Sequence, residues 1–332
     1  MKPEETERLF IESLFKDSGL SKETIDVEKL TGDASTRRYF RVKQENESFV
    51  ICLDDPTQNN EKYTFEIVQE AFSNECIRVP EINYLDRNKG FIVQEDLGNM
   101  TFLEELGQAR SNEDVKNLYL PVMDELLKIH NIKFDESKDA PFSKLRFDTA
   151  KLLDETRVTN ANFLIKLLGV SPEDQRVNLV DQSFTSICKY LDRGPWCVTH
   201  RDFHSRNIMM KNGKPVIIDF QDARLGIPQY DLVSLLEDCY FFVETDVKDE
   251  LIKYYKSNSS ISLENFEKNY DFMAIQRLYK AIGSFSMIYN VRGDSRYLKF
   301  IGRSFERILS LLSKYDQYME LKLTLAKFYY AS

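Results

Sequence analysis

The chain is poor in histidine. Only three occur in 332 residues, at positions 130, 200 and 204, which argues against a histidine-built metal centre. Its five cysteines, Cys52, Cys76, Cys188, Cys197 and Cys239, are odd in number, widely spaced and free of any C-x-x-C pair. That pattern fits a reduced, cytoplasmic chain rather than a disulfide scaffold. Cys52 and Cys197 sit in apolar runs, where a thiol serves as a small core hydrophobe. An excess of positive charge is also lacking. With 45 basic against 54 acidic residues the formal net charge is −9, which argues against binding nucleic acid by phosphate neutralisation. A locally basic pocket for a small phosphate-bearing ligand remains open. No apolar stretch approaches the roughly 20 residues of a membrane helix. Residues 1–7 are polar and acidic, unlike a secretory signal. The expectation is a cytoplasmic monomer with no membrane or nucleic-acid partner. Internal repeats and low-complexity segments are absent.

What is present reads as an ordinary globular chain, 42% hydrophobic and 30% charged, long enough for two lobes. Leu9, Phe10, Ser13, Leu14 and Phe15 recur at helical spacing, and Gly19 ends that helix. Residues 39–42 and 48–53 read as a hairpin, 59–71 as a helix, and 81–84 with 90–94 as a second strand pair. From Thr101 the pattern becomes helical. Leu118, Val122, Leu126, Leu127 and His130 share one face of a helix with Pro121 near its start. Residues 150–168 and 178–191 continue the helical run. A strand-rich island follows: residues 196–199, then 208–210 and 216–218 around an Asn212-Gly213 turn. Helix resumes after Asp231.

That island carries the chemistry. His200-Arg201-Asp202-Phe203-His204-Ser205-Arg206-Asn207 reads H-R-D-x-x-x-x-N, and Asp219-Phe220 closes the next strand. Phosphoryl transfer needs an oriented hydroxyl, a proton acceptor beside it, and cations against the triphosphate. Asp202, in a turn after a strand, fits the group that orients the acceptor hydroxyl and takes its proton. Asn207 and Asp219 offer two hard oxygen donors, which suits Mg²⁺. By average residue usage the first motif alone has a chance of about one in a thousand in a chain this long.

Other segments carry weaker signals. Gly32 to Arg41 is a loop of small and hydroxyl residues at the mouth of the first hairpin. Its backbone amides, with Ser35, Thr36, Arg37 and Arg38, could cradle phosphates. Residues 91–98, through Glu95 and Leu97, read as the strand and linker whose backbone meets an adenine edge. His204 and Arg206, inside the motif loop, are candidates for acceptor contacts. His200 is expected as a scaffold residue and His130 as a core or cap histidine. Asp231 is expected to cap the helix that follows it or to accept amides of the motif loop.

On these residues the chain resembles the aminoglycoside phosphotransferase and choline kinase superfamily, over nearly its whole length. It is most similar to kinases that phosphorylate the anomeric hydroxyl of N-acetylmuramate and N-acetylglucosamine. The closer resemblance rests on Gly-Asp-Ala-Ser-Thr-Arg-Arg-Tyr-Phe-Arg at 32–41, Glu-Asp-Leu-Gly at 95–98, Asp-Phe-Gln-Asp-Ala at 219–223, Tyr-Asp-Leu-Val-Ser-Leu-Leu at 230–236 and Gln-Arg-Leu-Tyr-Lys-Ala-Ile-Gly at 276–283. It implies ATP and Mg²⁺ as cofactors, Asp202 as base and Asn207 and Asp219 at the metal. Two departures stand out. Strand 48–55 lacks the lysine that aminoglycoside kinases place against the phosphates, which leaves Glu66 without its usual partner. Gln221 replaces the glycine of Asp-Phe-Gly.

The expected fold is α+β and protein-kinase-like. A mixed N-terminal lobe (1–98) would bind nucleotide, and a helical lobe (99–332) would carry the catalytic loop and the substrate site. The expected activity is an ATP-dependent sugar 1-kinase serving cell-wall sugar recycling. An aminoglycoside or amino-alcohol kinase and a nucleotide-binding pseudokinase are the alternatives.

Overall fold

The computed structural model describes residues 5–21, 25–30, 37–45, 47–58, 61–134 and 141–330. They form two compact units, residues 1–100 with 209–221 and residues 101–208 with 222–332.

The first unit opens with α1 (Glu5–Asp17), followed by β1 (Asp26–Leu30), β2 (Arg38–Gln44), β3 (Glu47–Leu53), α2 (Thr64–Asn74), β4 (Ile82–Asp86) and β5 (Phe91–Glu95). The strands make one antiparallel sheet in the order β1-β2-β3-β5-β4. β1 was not foreseen; its sequence, Asp-Val-Glu-Lys-Leu, buries only Val27 fully and so shows little strand patterning. α1 turns Ile11, Leu14 and Phe15 onto Phe40, Val42, Ile51, Phe91 and Val93 of the sheet. Leu9 and Phe10, expected on that buried face, are exposed. α2 buries Phe65 and Phe72, and both rings pack on Phe220, at centroid distances of 5.0 and 5.7 Å. This contact joins the Asp219-Phe220 segment to the first unit. At the β4–β5 turn Gly90 has φ 63, and a Cβ there would lie 2.9 Å from the carbonyl carbon of Asp54. A side chain would therefore break the Asp54 amide bond to the Gly90 carbonyl.

The second unit is built from α3 (Phe102–Leu106), α4 (Asn112–Asn131), α5 (Pro141–Lys144), α6 (Thr149–Thr159), which continues as a π-helical segment Asn160–Leu167, and α7 (Gln175–Leu191). β6 (Cys197–Thr199) leads into the motif loop. The chain then enters the first unit for the hairpin β7 (Ile208–Lys211) and β8 (Lys214–Ile217), and β9 (Arg224–Gly226), again in the second unit, returns antiparallel to β6. Asn212 and Gly213 both have positive φ, 52° and 72°, as a two-residue hairpin turn requires. α8 (Gln229–Leu236), α9 (Thr245–Asn258), α10 (Phe266–Arg292), α11 (Ile301–Leu312) and α12 (Met319–Tyr330) complete the unit. Pro121 lies mid-helix in α4, not near its start, because Ser111 caps that helix a full ten residues earlier by accepting the Asp114 amide. α10 is the central element. Residues 271–279 are all buried, and the helix packs against α6, α8 and α11. Among the described residues no helix is long and apolar enough to cross a membrane.

Gly283 marks the closest approach of α10 to α6, since a Cβ there would lie 2.7 Å from the Cα of Thr159. Alanine would gain up to about 1 kcal/mol of helix propensity. Overpacking against backbone costs about 1–3 kcal/mol. Gly283→Ala is therefore expected to lower the urea midpoint of the second unit, as followed by circular dichroism; an unchanged or raised midpoint would refute the close approach.

Candidate active site

The motif loop is fixed at two points. Asp231, fully buried in the first turn of α8, accepts the His200 amide (2.6 Å) and the Arg201 amide (3.0 Å). It is not the helix cap, because α8 begins two residues earlier at Gln229; the loop-bracing alternative is the role observed. Behind it His130 is a buried core residue, with Nε2 3.4 Å from Asp231 and Nδ1 2.7 Å from the Tyr255 hydroxyl. His200 is fully buried and packs edge-on against Phe203, as a scaffold residue would. Arg201 takes φ 87, a costly conformation for a side chain with a Cβ, and Asp231 stabilises it there. Beyond the end of α8, Asp238 accepts the Ser205 amide (2.9 Å) and hydroxyl (2.6 Å).

Between these braces Asp202 turns into a cavity of about 140 Å³ lined also by His204, Asp238, Tyr240, Arg277, Lys280 and Phe285. Its Oδ1 lies 2.9 Å from Lys280 Nζ and 3.5 Å from Arg277, while Arg201 Nε is 3.7 Å from Oδ2. Burial pushes the Asp202 carboxyl up, but Lys280, then Arg277 and Arg201, outweigh it and hold the pKa well below the ordinary carboxylate range. Arg277 is fixed in turn. It donates to the Tyr230 hydroxyl at 3.0 Å and lies over that ring, and Tyr230 faces Glu155. The 276–283 segment thus supplies two cations that the sequence reading left without a role. Their spacing of three on one helix, which puts them on a common face, was the available signal.

Burial lowers the His204 pKa, against the opposing pull of Asp238 and Asp202, and its buried Nδ1 has no hydrogen-bond partner among the described residues. Arg206 faces an aromatic group instead. It lies 5.1 Å from the Tyr240 ring and 5.8 Å from that of Tyr297, and bonds the Tyr297 hydroxyl. Asn207 donates its amide nitrogen to the Asp202 carbonyl (3.0 Å), which fixes its side chain against the motif loop. Asp219, at φ 63, accepts Gln221 at 2.7 Å. Among the described residues no cluster of three or more His, Cys, Asp or Glu side chains suits a metal. An amide oxygen and a carboxylate are hard donors of the kind Mg²⁺ takes, and that ion needs few protein ligands because it completes its shell with phosphate and water.

In the first unit, Ser35 and Thr36 lie outside the described residues. Arg37 donates to Asp54 at 2.7 Å and its guanidinium is 6.0 Å from the Phe65 ring. Arg38, its neighbour, pairs with Glu7 of α1. The lysine missing from β3 has a local substitute as far as Glu66 is concerned: Arg87, from the β4–β5 turn, makes a two-bonded pair with that carboxylate. Glu95 is held by Arg78 and by Lys211 of β7. Leu97 makes no backbone hydrogen bond with other described residues. Arg41 and Asp96, from two separate motifs, form a buried ion pair, in which NH2 donates to Oδ1 at 2.9 Å and Nε lies 2.7 Å from Oδ2. Arg41 also donates to Asn99 and to the Gly98 carbonyl.

The chain is similar to proteins of known kind. A phosphotransferase enzyme family model matches residues 26–264, and the chain belongs to that family. A relative from Neisseria meningitidis serogroup B, named N-acetylmuramate/N-acetylglucosamine kinase, is 30% identical over 310 residues, covering 89% of this chain and 90% of the relative. One of the same name from Pseudomonas aeruginosa is 30% identical over 302 residues, covering 88% and 85%. Among solved structures, an aminoglycoside 2″-phosphotransferase with streptomycin and ATP superposes with a TM-score of 0.62 at 18% identity, over 92% of this chain and 97% of that one. A choline kinase from Streptococcus pneumoniae gives 0.60 at 17%, over 91% and 99%. The fold is the protein-kinase-like one, and the protein is a phosphotransferase.

Burial pushes the Asp96 carboxyl up, but Arg41, then the Gly98 amide and Ser48, hold its pKa below the ordinary value. A lowered folded-state pKa means that the pair contributes fully above about pH 4 and that its contribution is lost as pH falls through the folded value. Asp96→Ala, which strands a buried guanidinium, is expected to destabilise the first unit by about 3–5 kcal/mol at neutral pH, and by less on acidification. Urea unfolding at pH 7 and below pH 4 reads this, and an equal loss at both would refute it.

Proposed function

We propose that the protein transfers the γ-phosphoryl group of ATP to the anomeric hydroxyl of an N-acetylated amino sugar, N-acetylmuramate or N-acetylglucosamine, in cell-wall sugar recycling. The observation that carries this reading is the Asp202 carboxylate, held anionic by Lys280 and Arg277 at the wall of a cavity of about 140 Å³. A carboxylate so stabilised is a weak base. It suits a hemiacetal hydroxyl, which is more acidic than an ordinary alcohol, better than it suits a simple alcohol. The relatives named for these sugars, similar over nearly nine-tenths of the chain, support the same choice. Asp202 already carries Lys280 and Arg277 on one oxygen, which disfavours a polycationic aminoglycoside or a quaternary amine beside it. A pseudokinase would have little use for the braced Asp202.

In this reading Asp202 accepts a hydrogen bond from the anomeric hydroxyl and takes its proton as the new O–P bond forms. The buried Nδ1 of His204 gives the sugar a polar contact, and Arg206 fixes the aromatic wall of Tyr240. Asn207 and Asp219 are the residues that would hold Mg²⁺, which when bound neutralises phosphate charge. The unengaged backbone of Leu97 meets the adenine edge, with Glu95 steadying the strand end. Of the two loop arginines Arg37, oriented by Asp54 and Phe65, takes the place of the missing lysine near the phosphates; Arg38, paired with Glu7, is the lesser contributor, and Ser35 and Thr36 complete the loop.

Incubation with ATP and either sugar is expected to give an acid-labile sugar 1-phosphate, seen by ³¹P NMR, and none from the borohydride-reduced sugars, which lack an anomeric hydroxyl. Turnover with aminoglycosides or amino alcohols but with neither sugar would overturn the assignment. Asp202→Asn is expected to lower kcat by about 10²–10⁴-fold with ATP affinity preserved.

A further inference from the structure

Two cations share one oxygen of Asp202, yet they are held differently. Arg277 has 9% of its side chain exposed and is fixed by the Tyr230 ring and hydroxyl. Lys280 stands at the end of a flexible stem. Among the described residues Asp202 is the only hydrogen-bond partner of its Nζ, and the residue lines the cavity. Burial and then the neighbouring Arg277 lower its pKa against the pull of Asp202. The other acids of the cavity make no hydrogen bond to Lys280. Asp238 is occupied with the Ser205 amide and hydroxyl and the Tyr240 amide, and Glu237 faces Lys248 (3.0 Å) and Arg307 (2.7 Å). Asp202 Oδ1 is thus shared by two cations, of which Arg277 has a second anchor at Tyr230 and Lys280 does not.

We propose that Lys280 is a second catalytic residue: when the acceptor hydroxyl takes its place on Asp202 Oδ1, the Lys280 ammonium turns to the phosphoryl group arriving at that hydroxyl and remains on it in the product. The proposal rests on the sugar-kinase reading above. In the step itself the acceptor oxygen bonds to the γ-phosphorus, the bond from that phosphorus to the β–γ bridging oxygen breaks, and the bridging oxygen leaves with ADP. The hydroxyl proton goes to Asp202. Lys280 donates hydrogen bonds throughout and exchanges no proton. A donor placed where charge develops acts on the transition state more than on the ground state.

Lys280→Met and Lys280→Arg test this, with N-acetylglucosamine and N-acetylglucosamine 1-phosphate as probes. In Lys280→Met, kcat is expected to fall about a hundredfold while KM for sugar and ATP stays within about threefold. Affinity for the sugar 1-phosphate, measured calorimetrically without nucleotide, is expected to fall about tenfold or more, with sugar affinity kept. Lys280→Arg should keep product affinity. If Lys280→Met retained wild-type kcat, or lost sugar and sugar-phosphate affinity equally, Lys280 would be a structural partner of Asp202 and the proposal would fall. Failure of the wild type to phosphorylate either sugar would instead sink the functional reading.

Discussion

The second unit depends on one buried carboxylate. Asp231 accepts two successive backbone amides, at His200 and Arg201, where the chain leaves β6 and must reverse. Hydrogen bonds to a charged acceptor contribute about 1.5–3 kcal/mol each, enough to offset the left-handed backbone at Arg201. That conformation aims Asp202 into the cavity. Asp238, just past the end of the same short helix, grips Ser205, so the loop between is anchored at both ends to one rigid element. Geometry held this way loses little on approach of a substrate, which is what positioning a hydroxyl requires.

Around Asp202 the second unit concentrates charge that it then pairs in sequence. Glu155 faces Tyr230, Tyr230 receives Arg277, and Arg277 shares Asp202 with Lys280. Each buried charge has a partner, as a low-dielectric interior demands. The first unit redistributes its charges too. With no lysine on β3, Glu66 takes Arg87, and the buried Arg41–Asp96 pair ties β2 to the segment after β5. Two of the segments most like those of the sugar kinases are thereby explained as halves of one ion pair.

Much of this was legible in advance. Hairpins whose β-branched and aromatic runs flank a polar or Asn-Gly turn, such as β2–β3 and β7–β8, announce themselves, because their signal is local. So did the motif loop, whose residues are contiguous. β1 was missed because a mostly half-buried strand has weak alternation, and the face of α1 was misjudged because two apolar residues there stay exposed. Arg277 and Lys280 stood in a recognised segment without a role, since nothing within eight residues of α10 names an aspartate 75 or more positions away.

The sequence by itself determined the fold class and the phosphoryl-transfer chemistry, and it singled out Asp202, Asn207 and Asp219 as the residues to examine, because short-range spacing and residue type carry that information. Tertiary structure decided who accompanies them. It made Asp231 a brace rather than a helix cap, gave Glu66 to Arg87, and set Lys280 and Arg277 on Asp202. Those pairings arise because buried charges must find partners wherever the packed helices and strands bring them, and distance along the chain does not record that.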